Sequence, residues 1–152
     1  MSTISQTLAG SVMKISASLP ATYDYTGFSA LSYTTIAEIT DMGTGLGKKY
    51  DLVTHQPVAD RKKYKFRGGY DNGQLQVKLG RATATTTDAG QTLLIAASNS
   101  DADYSFEIVV QDGTKFYFTA KTMSFTMGMG TLNNILMGDV DLQVNSDIVE
   151  HA

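Results

Sequence analysis

A chain of 152 residues, 42% hydrophobic and 18% charged, is long enough for one domain with its own core, and its composition excludes a disordered polymer. The net charge of −3 argues against a nucleic-acid-binding domain, which is usually basic overall. The lack of cysteine excludes disulfides, thiolate nucleophiles and Cys-based metal sites, and no run approaches the ~20 apolar residues of a membrane-spanning helix.

The start, "MSTISQTLAG", has neither the basic residues nor the apolar run of a secretory signal, so the expectation is one domain, 1–152, in a reducing compartment. The charge is unevenly spread. Residues 48–81 hold nine Lys or Arg against Asp51, Asp60 and Asp71, a net of +6, which leaves −9 for the remainder. A basic segment on an acidic body is suited to meeting copies of itself.

Along the chain, alternation of apolar and polar residues dominates, and the fold class is mainly β: a sandwich or barrel with one flanking helix. Residues 1–10 form a polar N-terminal arm. In "SVMKISA", Met13, Ile15 and Ala17 share one side, and "SYTTIAEIT" (32–40) is a β-branched strand. Residues 41–60 read as a long glycine-containing loop, a length usually reserved for function. "KYKFR" follows, with Tyr64 and Phe66 turned toward the core and Lys63, Lys65 and Arg67 away from it. Asn72-Gly73 marks a tight turn into "GQLQVKLG", with Leu75, Val77 and Leu79 inward.

Residues 88–98 break the two-residue period. Asp88 is placed to cap a helix with Gln91 in a capping-box position, and Ala89, Leu93, Ala96 and Ala97 form its apolar face. A hairpin comes next, with Tyr104, Phe106, Ile108 and Val110 matched to Phe116, Phe118 and Ala120 across Asp112-Gly113. "TMSFTMGM" sets Met123, Phe125, Met127 and Met129 on one side. The last strand buries Leu136, Val140, Leu142 and Val144 and exposes Asp139, Asp141 and Gln143, before a polar arm at 145–152.

No constellation for chemistry emerges. "GTGLGKK" (43–49) misses the phosphate-loop pattern at two positions. His55 and His151 lie apart, without spacing for a metal, and no Ser-His-Asp arrangement has material. Asp139 and Asp141, two apart on a strand, share a face that reads as an acidic surface rather than an acid–base pair. Lys63, Lys65 and Arg67 would track phosphates, but base stacking wants aromatic rings on the same face as the charges. The reading is therefore no enzyme, no cofactor and no membrane contact.

The order of parts resembles the major tail tube proteins of long-tailed, non-contractile bacteriophages. "SFEIVVQDGTKFYFTAK" and "VDLQVNSDIVE" carry that resemblance most specifically, and it spans residue 10 to the C-terminus. It implies a β-sandwich with a flanking helix, hexameric rings, and a tube of stacked rings around a tape-measure protein. Further implied partners are tail terminator and distal tail proteins, and viral DNA passing through the lumen unbound, in a virion assembled in the host cytoplasm. On this resemblance a loop at 41–63 and the two arms bridge successive rings. The assembly residues are then Lys48, Lys49, Arg61, Lys62, Lys63, Lys65 and Arg67, with Asp139 and Asp141 on an acidic lumen or ring face. Two other readings remain open: a type VI secretion-like tube, and a monomeric β-barrel module for a nucleic acid or ligand.

Overall fold

The computed structural model describes residues 6–81 and 88–152, so the first half of the N-terminal arm lies outside the described residues. The elements in chain order are β1 (Val12–Ser16), α1 (Tyr25–Ser29), β2 (Thr34–Ile36), β3 (Ile39–Asp41), β4 (Leu46–His55) and β5 (Tyr64–Gly80). They continue with α2 (Ala89–Ser98), β6 (Tyr104–Val109), β7 (Lys115–Gly128), β8 (Met137–Val144) and β9 (Val149–His151). The protein is mainly β. Its strands pair antiparallel in the order β2-β1-β6-β7-β8-β5-β3, with β4 added to β5 and β9 to β7.

This sheet curls almost into a barrel. β7 pairs with β6 through Lys115–Ala120 but with β8 through Ala120–Gly128, so the strands are staggered as closure requires. The ends of the path, β2 and β3, are joined by only Ala37 and Glu38. Three Cα steps span at most about 11 Å, which brings the two edges together. The single strand expected over 32–40 is thus broken at this corner, where Glu38 takes a positive φ of 64°.

The interior is filled by alternate residues of β1, the second half of β5, β6, β7 and β8. Met13, Ile15, Leu79, Phe106, Phe118 and Leu142 are wholly buried, as the alternation foretold. The Phe106 and Phe118 rings lie 5.5 Å apart across their strand pair. Each such side chain contributes about 1.5–3 kcal/mol relative to an exposed one. Leu136 departs from expectation: it precedes β8 and is exposed, as is Ala17 beyond the end of β1.

Helix α2 packs against β1, β2 and β7. Asp88 caps it, accepting the Gln91 N–H at 3.0 Å, and the same carboxylate accepts the Ala37 N–H at 3.1 Å. Gln91 does more than complete a capping motif. Wholly buried, its Nε2 donates to the carbonyls of Gly80 (2.8 Å) and Ala37 (3.2 Å), clipping the β2–β3 corner to the end of β5. The buried face is Gly90, Gln91, Leu94 and Ala97, whereas Ala89 and Ala96 point to solvent. Leu93, of the expected face, is half-buried against the core, and Leu94 and Ala97 carry most of the helix's apolar contact.

A second, unforeseen helix, α1, covers the outside of the central strands. Phe28 stacks on Tyr117 at 5.6 Å, and Tyr25 and Tyr33 close around the same ring. Burial, then the neighbouring Glu107 carboxylate, pushes the Tyr33 and Tyr117 phenols well above their ordinary range. The C-terminal arm is docked rather than free. β9 pairs with Lys115–Tyr117, Ser146 accepts the Thr119 N–H at 2.8 Å, and His151 stacks on Tyr25 at 3.6 Å.

Candidate assembly surface

The segment 41–63 is not one continuous loop, because its middle, Leu46–His55, is strand β4. β4 pairs with the first half of β5, Leu46↔Gly73 to His55↔Tyr64, making a two-stranded hairpin whose residues are almost all exposed. β5 is continuous for 17 residues, and its second half, Gln74–Gly80, belongs to the barrel, where it pairs with β8. The expected turn at Asn72-Gly73 does not form. Gly73 has the positive φ expected of it, +99°, but uses it to let the Gly45 carbonyl approach: a Cβ there would sit 1.9 Å from that oxygen. Two register shifts, between Leu46 and Lys49 and between Tyr50 and Leu52, interrupt the β4–β5 ladder.

All seven basic residues singled out in the sequence lie on this hairpin or in its tip turn, and all are exposed. Lys48 stands at the root, 3.7 Å from the Asp147 carboxylate and 4.8 Å over the Tyr70 ring, and Lys49 lies opposite Asp71. Arg67 lies opposite Leu52, its guanidinium 4.2 Å over Tyr50, and Lys65 faces Thr54. Arg61, Lys62 and Lys63 occupy the tip.

That tip is organised by Asp60. One carboxylate oxygen accepts the Lys62 N–H at 3.1 Å and the other the Tyr64 hydroxyl at 2.8 Å. The backbone N–H of Lys62, then the Tyr64 hydroxyl, hold the Asp60 carboxyl below its ordinary range.

The aromatic residues depart from expectation. Tyr64 and Phe66 do alternate with the cations, but they reach solvent, because the partner strand β4 carries no core. Val53 lies opposite Phe66 and His55 opposite Tyr64, so this side of the hairpin is apolar and uncovered. The other side carries Tyr50 and Tyr70, with ring centroids 5.4 Å apart, beside Arg67 and Lys48. Cations and rings therefore share a face after all, although each ring is already capped by a cation. The apolar residues Tyr50, Leu52, Val53 and Val58 were missed as surface-forming because their segment read as a loop. The signal was there in "YDLVTHQPV", whose β-branched and aromatic content is that of a strand.

Asp139 and Asp141 lie elsewhere, on the outward face of β8, opposite Lys78 and Gln76 of β5 and Thr126 and Ser124 of β7. Asp139 is exposed and Asp141 half-buried, the latter accepting from Gln143 Nε2 at 3.3 Å. With Gln74, Gln76 and Gln143 they form a polar patch on the outside of the barrel.

No protein-family model matches this chain, and no curated protein matches it in sequence. Its fold recurs in solved structures. A chain in the six-fold symmetrised cryo-EM structure of the anti-feeding prophage baseplate superposes with a TM-score of 0.69 at 13% identity, over 100% of this chain and 98% of that one. In the PVC extracellular contractile injection system, a chain of the sheath/tube terminator in the extended state matches at 0.65 and 12% identity, over 97% of each chain. A chain of the sheath–tube complex of that system, also extended, matches at 0.65 and 12% identity, over 99% of this chain and 93% of that one. At such identity the likeness is one of fold, and it runs from end to end.

Proposed function

We propose that this chain is a non-catalytic structural protein of a tail-like particle, and that it assembles into hexameric rings stacked as a tube. The observation that carries the reading is the whole-chain likeness in fold to components of baseplate, terminator and sheath–tube assemblies. The hairpin adds physical weight. A two-stranded hairpin with no core of its own is marginal in water, and one that exposes Leu52, Val53 and Phe66 is suited to being covered by a neighbour. Its cations, Lys48, Lys49, Arg61, Lys62, Lys63, Lys65 and Arg67, make a ring-stacking seam against the acidic body of the next ring. Asp139 and Asp141 belong to a polar outer face that would repel DNA phosphates if it lined the lumen. In such a particle the partners are copies of the chain, a tape-measure protein inside the tube, and terminator and distal proteins at its ends.

A second reading concerns the particle. The sequence resembles tubes of non-contractile tails, whereas two of the solved structures that share its fold come from an extracellular contractile injection system, which favours a tube enclosed by a sheath. Negative-stain electron microscopy of the concentrated protein, with light scattering for mass, tests the common core of both. Rings or hollow tubes are expected. A monomer at every concentration that binds oligonucleotides in a salt-sensitive way would replace this reading with a nucleic-acid module.

A further inference from the structure

The β4–β5 hairpin has no core of its own, and a two-stranded ribbon in that position is marginal in water. Its ladder is also interrupted at both register shifts. From Tyr50↔Tyr70 to Leu52↔Arg67, β4 advances two residues while β5 advances three. The surplus falls at Gly68-Gly69, a pair with no side chain to pack. From Leu46↔Gly73 to Lys49↔Asp71 the surplus lies on β4, at Gly47 and Lys48.

Each interruption is spanned by rings and cations. The Tyr50 ring packs against residues on both sides of the glycine pair. Tyr70 lies beyond it, at 5.4 Å between centroids, and the Arg67 guanidinium before it, 4.2 Å from the Tyr50 centroid. Lys48, inside the second interruption, reaches across to Tyr70 with Nζ 4.8 Å from the ring centroid, and the same Nζ lies 3.7 Å from the Asp147 carboxylate. Asp147, Lys48, Tyr70, Tyr50 and Arg67 thus make one continuous row of contacts. It starts on the docked C-terminal arm and ends well out along the hairpin. Ring pairs and cation–π contacts are weak singly, but these sit where the backbone ladder lapses.

We propose that this row is a splint: Tyr50 and Tyr70, bridged by Arg67 and Lys48, hold the hairpin extended before it meets another copy of the chain. The inference rests on the ring-stacking reading and divides its basic residues by role. Arg67 and Lys48 are positioning residues, committed to rings within their own molecule, and Lys62 is similarly placed at the tip, 5.4 Å over Tyr64. Among the described residues, the side chains of Arg61, Lys63 and Lys65 have no ring contact or ion pair, so these are the cations left for a neighbouring copy. An arm ordered in advance loses less conformational entropy on docking, which strengthens assembly without any added contact between molecules.

Hydrogen exchange of the dilute, unassembled protein, paired with light scattering during assembly, tests the splint. In Tyr50→Leu and in Arg67→Gln, the amides of 50–53 and 66–70 should exchange about two- to fivefold faster, the range of one exposed cation–π contact, while β7 and β8 keep their rates. Tyr50→Phe retains the ring and should keep the hairpin's protection. Lys65→Gln should leave exchange unchanged and still slow tube growth. Equal loss of protection in Lys65→Gln would reduce the effect to net charge and overturn the splint. Arg67→Gln that slowed growth with hairpin exchange unchanged would make Arg67 a contact residue and overturn it too, as would a hairpin without protection in the unaltered protein. Absence of rings and tubes from the unaltered protein would remove the ring-stacking reading, while the exchange rates would still decide the splint.

Discussion

Replacing Gln91 with leucine keeps the side-chain volume but removes the clip across the barrel's corner. Its Nε2 donates to two carbonyls, Gly80 in a buried contact and Ala37 in a half-buried one. Each buried polar group left without its partner costs about 1–3 kcal/mol, and the more accessible Ala37 oxygen recovers part of that from water. The expected loss is about 2–4 kcal/mol, a large fraction of the 5–15 kcal/mol typical of a domain. For a chain of this size the melting temperature should fall by roughly 5–15 °C. With no tryptophan present, urea unfolding is best followed by far-ultraviolet circular dichroism, comparing midpoints at unchanged slope. Within about 0.5 kcal/mol of the unaltered protein, the spread of neutral surface changes, the role given to Gln91 would be refuted.

The double change Lys63→Glu with Lys65→Glu should block tube growth while the circular dichroism spectrum stays that of the unaltered protein; normal-length tubes would sink the seam reading. Gly73→Ala places a Cβ where the Gly45 carbonyl lies, so the hairpin should lose its protection in hydrogen exchange while β7 and β8 keep theirs. Asp60 has a folded pKa depressed below its ordinary value near 3.8, so its contribution is present above that pH and lost as pH falls through the depressed value. An NMR titration should find its carboxyl titrating below the ordinary aspartate value, and Tyr64→Phe should move it upward. The raised phenols work the other way. Stability from neutral Tyr33 and Tyr117 is full below the ordinary phenol value of 10.0 and drains as pH climbs toward their elevated values. Ultraviolet titration should show two tyrosines that ionise only as the protein unfolds.

The alternation of Leu75–Leu79, Phe106–Val110, Phe116–Ala120 and Val140–Val144 determined by itself that these segments are strands and which of their sides is inward. A period of two with one apolar side has a single way to bury that side. Asp88 likewise announced its helix, since a cap is a local device that needs only its own three following residues. The uneven charge placed the basic residues of the candidate seam before any geometry was known.

Other features were decided only by the tertiary structure. Whether Tyr64 and Phe66 face a core depends on what lies across from them, and β4 brings no core with it. Gly73 advertised a positive φ truthfully, but only the approach of Gly45 shows that it serves a close backbone contact within a continuous strand rather than a turn. The buried side of α2 follows from two carbonyls on β5 and the β2–β3 link that reach for Gln91, contacts separated by 11 and 54 residues along the chain. The curl of the sheet itself goes with the stagger of β7 between β6 and β8. Strand pairing across long separations leaves no local pattern, because the hydrogen bonds involved use backbone groups that every residue has.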